Sequence, residues 1–269
     1  MSKENARDFA VRRATPGDYP SFARLFPELL VDDPVPTAEI WASTFVPSTW
    51  VAVRGPQVLG YCYCQKYAAS GYVRNVVVAP QARRAGMGRE LMRTMAAELR
   101  AQGKTSWCLN VKADNLAALA LYQGVGMTLK YRSCSFRFDW GALSAMPAGS
   151  AAVRSLPAAR EALLEALFDL PGGQLASARG LGRSLLEAIT SDGQTPLGLA
   201  VFDPKFPGAF PFRVKSLDAV TPLLEAMRQL VPTDEFVNLV AEDDEQLVAL
   251  LLEVGASLRH EIVHLAGAL

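Results

Sequence analysis

The chain has 269 residues, half of them hydrophobic and a fifth charged, with 27 basic against 27 acidic side chains and so no formal net charge. That length is long for one domain and comfortable for two, with enough apolar content for a sizeable core. The balanced charge gives no electrostatic reason to expect nucleic acid, and no apolar run approaches the roughly 20 residues of a membrane-spanning helix.

Residues 1–8 are polar and lack the apolar core of a secretion signal, so a cytoplasmic location without membrane partners is expected. Residues 9–14 read as a first strand. Thr15-Pro16-Gly17-Asp18 then caps a helix running to about Leu30, with Pro16 in the first turn, where its missing N–H is not needed. A second helix is expected over residues 37–45. Trp50-Val51-Ala52-Val53 and the strand over residues 58–64 flank Arg54-Gly55-Pro56-Gln57, a hairpin signal. The four cysteines, Cys62, Cys64, Cys108 and Cys134, all fall in expected strands and read as buried reduced thiols. Cys62 and Cys64 share one strand face, but without a second Cys pair no metal site is expected.

Residues 72–78 form a β-branched strand that ends at Pro80, and residues 89–99 have helical apolar spacing. Between them lies Val78-Ala79-Pro80-Gln81-Ala82-Arg83-Arg84-Ala85-Gly86-Met87-Gly88. Gly86 and Gly88 therefore sit at a helix N-terminus, where backbone N–H groups lack intrahelical partners and the macrodipole is positive. Glycine also removes the Cβ that would hold a pyrophosphate away, and Arg83 and Arg84 add charge-assisted donors. After a strand over residues 106–111, a short helix begins near Asn115 and closes at Gly126. Asn115 and Tyr122 are seven residues apart and share one helix face. A strand over residues 129–138 follows, and then residues 141–149, a linker rich in small residues around Pro147.

The second half reads as a worn copy of the first. Placing Val125-Gly126-Met127 on Val254-Gly255-Ala256 sets the strand over residues 235–240 beside that of Trp107. Upstream, residues 197–202 and 210–214 stand as central strands, with a helix over residues 218–230. The copy lacks the polar groups: Asp244 stands for Asn115, Leu251 for Tyr122, and Val214-Lys215-Ser216-Leu217-Asp218-Ala219-Val220 has no paired glycines. An aspartate at that helix start would repel an anion, and leucine cannot donate a proton.

Val78, Pro80, Arg83, Gly86 and Gly88 in one motif, with Asn115, Ala118, Tyr122 and Gly126 in the other, resemble the GNAT superfamily of acetyl-CoA-dependent N-acetyltransferases; Met127 replaces the usual aromatic residue. The resemblance implies a GNAT fold, α/β with a mixed sheet, over residues 8–140, and by duplication a degenerate GNAT-like domain over residues 150–269 with a structural or acceptor-shaping role. It implies acetyl-CoA as cosubstrate without a metal, and a small-molecule or peptide amine as acceptor; oligomers are compatible with it. Cofactor contacts fall to the backbone amides of Val76 and Val78, to Arg83, Arg84, Ala85, Gly86, Met87 and Gly88, and to Asn115, which anchors the cofactor or caps its helix. Tyr122 is the candidate general acid, since a phenol of ordinary pKa about 10 is protonated at neutral pH. No general base is assigned; Asp32, Asp33 and Glu39 border the acceptor side in such a fold, but a solvated acidic loop around Pro34 and Pro36 is the favoured reading for each.

Two other readings stand beside it. A protein that kept the fold could bind acyl-CoA without catalysis. His260-Glu261-Ile262-Val263-His264 spells a zinc-peptidase signature, but that chemistry needs a helix, and the segment is rich in strand formers. On a strand, four residues span roughly 13 Å, too far for both rings to reach one zinc.

Overall fold

Prolines divide the first helical stretch. In the computed structural model, which describes residues 8–31, 34–233 and 235–269, β1 (Ala10–Arg13) leads into a 3-10 turn over Pro16–Asp18. The Thr15 N–H donates to the Asp18 carboxylate at 2.8 Å, and Arg12 closes the same carboxylate with two bonds of 2.8 Å. α1 (Tyr19–Leu25) follows, and at Pro27, which has no N–H to extend the ladder, the chain tightens into a 3-10 turn over Phe26–Leu29. The one helix expected to about Leu30 is thus a helix between two tighter turns. The helix expected over residues 37–45 is likewise α2 (Ala38–Ile40) widening into a π turn over Trp41–Phe45, capped by Thr37. Asp32 and Asp33 lie outside the described residues.

β2 (Thr49–Arg54), β3 (Gln57–Lys66) and β4 (Ser70–Val78) continue β1 as an antiparallel meander. α3 (Met87–Ala101) then crosses over to β5 (Ser106–Lys112), which pairs parallel with β4, and α4 (Leu116–Gln123) follows. One sheet face carries Phe22 stacked on Trp41 at 4.4 Å, with Tyr61 at 5.3 Å from Phe22. α3 buries Leu91, Met92, Met95 and Leu99, each contributing about 1.5–3 kcal/mol. At the far end of α3 the buried Glu98 accepts from the Trp50 indole, from Lys66 at 2.5 Å and from Arg13 at 2.8 Å. Burial alone would raise that carboxyl's pKa, but these donors outweigh it and hold it ionised.

The second half repeats this element order: β7 (Ala152–Ser155), α5 (Glu161–Leu167), α6 (Gln174–Gly180), β8 (Ser184–Ile189), β9 (Pro196–Asp203), β10 (Gly208–Val214), α7 (Val220–Leu230), β11 (Phe236–Glu242) and α8 (Glu245–Glu253). β7, α5, α6 and β8 had no counterpart in the sequence reading.

β6 (Thr128–Asp139) ends the first half and β12 (Ser257–Ala268) the second. Most of β6 and the end of β12 change places. The chain divides into one unit of Met1–Asn110, Leu116–Thr128 and Leu265–Leu269, and another of Val111–Asn115 and Leu129–His264. In the first, Leu269 N–H donates to Thr105 O at 3.0 Å, and Thr128 Oγ1 to Ala266 O at 3.4 Å. In the second, β6 pairs antiparallel with β11 from Phe236↔Asp139 to Glu242↔Ser133. Residues 141–149, read from sequence as a linker, are no loose tether: Trp140–Ala145 is a 3-10 helix, and Trp140 and Met146 are buried in the second unit's core.

Candidate active site

β4 and β5 part company before β4 ends. They pair only from Ser70↔Ser106 to Val73↔Leu109, while β4 runs on to Val78. On the other side β4 stays with β3, but Tyr63 faces Asn75 and Cys64 faces Val73, so Arg74 is an extra residue, a bulge that bends the strand. Ala79 N–H donates to Leu59 O at 2.8 Å, which fixes the phase of that ladder. Alternation then turns the backbone groups of Val76 and Val78 away from β3, toward the edge that β5 has left.

The glycine turn sits at the end of this edge. A 3-10 turn over Pro80–Ala82 brings the chain round, Arg84 takes φ of 67°, and Gly86 is the N-cap of α3 at φ of 84°, where a side chain would be strained. The first intrahelical bond is Glu90 N–H to Gly86 O at 3.1 Å, so the N–H groups from Arg84 to Arg89 lie ahead of it. Space around Gly86 is open, Ala85 and Arg84 are exposed, and Met87 is buried as the anchor of the turn. Gly88 has a packing role: a Cβ there would come within 3.2 Å of Leu121, so its absence lets α4 lie close to α3. Arg83, expected at the anion, is otherwise engaged. Its Nε donates to Val78 O at 3.1 Å and its Nη2 to Glu28 at 2.7 Å.

Tyr122, one residue beyond Leu121, is 8% exposed. Burial, together with the neighbouring Cys62 thiol, pushes its pKa well above the ordinary tyrosine value, so the phenol stays protonated at neutral pH. Val76, Val78, the turn and Tyr122 thus share one unit. Asn115 is exposed, with its N–H on Lys112 O at 3.0 Å, and belongs to the Val111–Asn115 segment of the second unit. Glu39 is exposed at the start of α2. Cys62 and Cys64 are buried, whereas Cys108 and Cys134 are only half-buried, a correction to the sequence reading; all four are free thiols.

The corresponding places in the second unit are filled. β10 keeps pairing with β11 as far as Phe212↔Ala241, two residues short of its end. Beyond that point Arg213 donates to Glu242 O at 3.2 Å. At the start of α7, Ser216 accepts from Asp218 N–H, and Pro222 supplies no donor. The segment after β6 lies against this helix start: Thr221 Oγ1 donates to Pro147 O at 2.8 Å, and a Cβ on Gly149 would sit 2.3 Å from Asp218 O. Asp244 caps α8 through Leu247 N–H, and Leu251 is wholly buried.

Sequence reasoning missed a polar row in the second unit, because its members come from four strands distant in sequence. The Tyr131 hydroxyl donates to the buried Glu242 at 3.0 Å and accepts from Arg213 at 3.3 Å, while His264 stacks on Tyr131 with ring centroids 4.4 Å apart. Burial, with Arg213 and Lys130 adding to it, lowers the His264 pKa to about 4. His260 and His264 lie on β12, so the helix that a zinc-peptidase motif needs is not formed there. Among the described residues no group of three or more potential ligands could hold a metal ion, and no helix is long and apolar enough to cross a membrane.

Residues 19–127 match the family model of the acetyltransferase (GNAT) family. Over nearly the whole chain the fold is similar to a GCN5-related N-acetyltransferase from Sphaerobacter thermophilus, at 17% identity, covering 97% of this chain and 96% of that one, with a TM-score of 0.67. It is also similar to a tandem GNAT protein from the clavulanic acid biosynthesis pathway, at 16% identity, covering 97% and 98%, with a TM-score of 0.63. No curated protein sequence matches the chain.

Proposed function

We propose, from the match of residues 19–127 to the GNAT acetyltransferase family, that the chain moves an acetyl group from acetyl-CoA to an amine, with the chemistry confined to the first unit. The observation that carries the reading is the opening between β4 and β5 beside an uncapped glycine turn, in the same unit as a buried, protonated tyrosine. The N–H groups from Arg84 to Gly88 and the exposed Arg84 side chain suit a diphosphate. Val76 and Val78 offer strand-edge N–H groups to the pantetheine and the thioester oxygen, as a sheet edge would to a fresh strand. Asn115 is assigned to the same cofactor or to capping α4.

The reaction needs a neutral amine nitrogen to form a bond with the acetyl carbon while the carbon–sulfur bond breaks. Tyr122 gives its proton to the departing sulfur and recovers one from solvent, and the proton shed by the amine passes to water. The acceptor is a small-molecule or peptide amine. The filled places in the second unit support a single cofactor per chain, with that unit in a structural or acceptor-shaping role. A cytoplasmic setting is part of the reading, supported by four cysteines that form no disulfide.

The test is CoA release with a panel of small amines and peptides, alongside calorimetry with CoA. Acetyl-CoA-dependent release with one acceptor class supports the enzyme. Tight CoA binding with every class inert replaces it by an acyl-CoA-binding module, and no binding at all rejects both.

A further inference from the structure

The arginine that the sequence places at the diphosphate is already committed elsewhere, through two of its three nitrogens. Arg83 Nε donates to the carbonyl of Val78, the last residue of β4, five positions back. Its Nη2 donates to Glu28 at 2.7 Å, in the 3-10 turn that follows α1. One guanidinium thus joins the two ends of the Pro80–Ala82 turn, just ahead of the glycines, and fastens them to a separate element. Arg84, the next residue, points no bond at any described residue and stands exposed with φ of 67°.

The geometry points to a division of labour: Glu28 is a positioning residue that acts through Arg83 to hold the cofactor turn in shape, and Arg84, not Arg83, supplies the side-chain charge to the diphosphate. This rests on the proposed use of acetyl-CoA.

The physical argument concerns cost before binding. The turn carries two residues at positive φ, one of them an arginine rather than a glycine, which has a conformational price unless the surroundings impose it. The Arg83 bridge imposes it before any ligand arrives, so the N–H groups of residues 84–88 are already converged. Planar donation from two fixed nitrogens suits arginine to that work, and lysine could not make both bonds in the same way. The Glu28–Arg83 pair is partly solvated, with side-chain exposures of 36% and 52%, so its contribution is limited to the scale of an exposed ion pair, up to about fivefold in affinity.

The experiment is calorimetry of the full chain with CoA, over a range of salt concentrations, for wild type, Glu28→Gln, Glu28→Asp, Arg83→Gln, Arg84→Gln and the Glu28→Gln/Arg83→Gln double variant. The expected result has four parts. Glu28→Gln weakens CoA by up to about fivefold without changing its salt dependence, and Glu28→Asp restores part of the loss. The double variant is no weaker than Arg83→Gln alone, because both changes break one bridge. Arg84→Gln weakens CoA and flattens the salt dependence, the mark of a lost contact to a charged ligand. Additive losses in the double variant, a Glu28→Gln affinity equal to wild type, or a flattened salt dependence in Arg83→Gln would each overturn the assignment. Should Arg83→Gln fail to fold, the two Glu28 variants and Arg84→Gln decide alone. Wild-type protein that binds no CoA removes the proposed function as well, whereas wild-type binding with an indifferent Glu28→Gln removes only this inference.

Discussion

Tyr122, buried, and His264, half-buried, are rings whose titration is displaced in opposite directions, each toward the neutral form. For Tyr122 burial favours the neutral phenol, the form that can donate a proton. Tyr122→Phe keeps the ring and removes the donor, so turnover falls about a hundredfold, the lower range for a general acid, while acetyl-CoA affinity changes little. Steady-state kinetics beside calorimetry reads both, and unchanged turnover removes the tyrosine from the mechanism. For His264 the folded-state pKa of about 4 lies below the ordinary value of 6.5, so folding favours the neutral ring. Its contribution to stability is complete above about pH 6.5 and is lost as pH falls from there toward 4. The thermal midpoint therefore drops between pH 7 and pH 4.5, and His264→Gln flattens part of that limb; identical profiles would show that the ring does not contribute. At this scale Tyr122 was legible because its neighbours spell a motif. The Glu28 partner of Arg83 was not, because no local pattern links residues 55 positions apart.

Among the elements, the strand, glycine turn and helix from Tyr72 to Leu99 could be read from local chemistry: β-branched residues, then Pro80, then glycines at a helix start. The helical stretches near Pro27 and Trp41 were read as too regular, since the sequence marks helix formers but not the α, 3-10 or π spacing that packing selects. Within the linker expected over residues 141–149, the contacts of Gly149 were hidden for a related reason. Small residues and a proline suit a tether, and only tertiary contacts reveal that Gly149 is small because Asp218 O and Pro222 crowd it. Gly149→Ala places a methyl 2.3 Å from a backbone oxygen, an overlap that backbone movement alone can relieve. Such overpacking costs about 1–3 kcal/mol, read as a lower urea midpoint at an unchanged slope. A variant as stable as wild type would mean that this segment yields easily.

For the molecule as a whole, the repeat in element order was legible, since one offset of 129 residues lays Val125-Gly126-Met127 on Val254-Gly255-Ala256 and the start of β6 on the start of β12. That same similarity hid which unit each strand completes: two strands with equivalent apolar faces fit equivalent edges, and only long-range pairing decides between them. The filled cofactor places of the second unit give a stoichiometry of one CoA per chain by calorimetry. A value of two would show that the segment around Gly149 can be displaced from the start of α7.

The partial exchange of closing strands also bears on how the protein is made. The unit that holds Tyr122 and the glycine turn draws on Leu265–Leu269, so during synthesis it must wait, unfinished, until about 130 further residues have followed β6. A nonsense mutation anywhere in the second half would then silence a site encoded wholly upstream of it, and co-expressing the two halves as separate polypeptides would restore activity only if the fragments find each other.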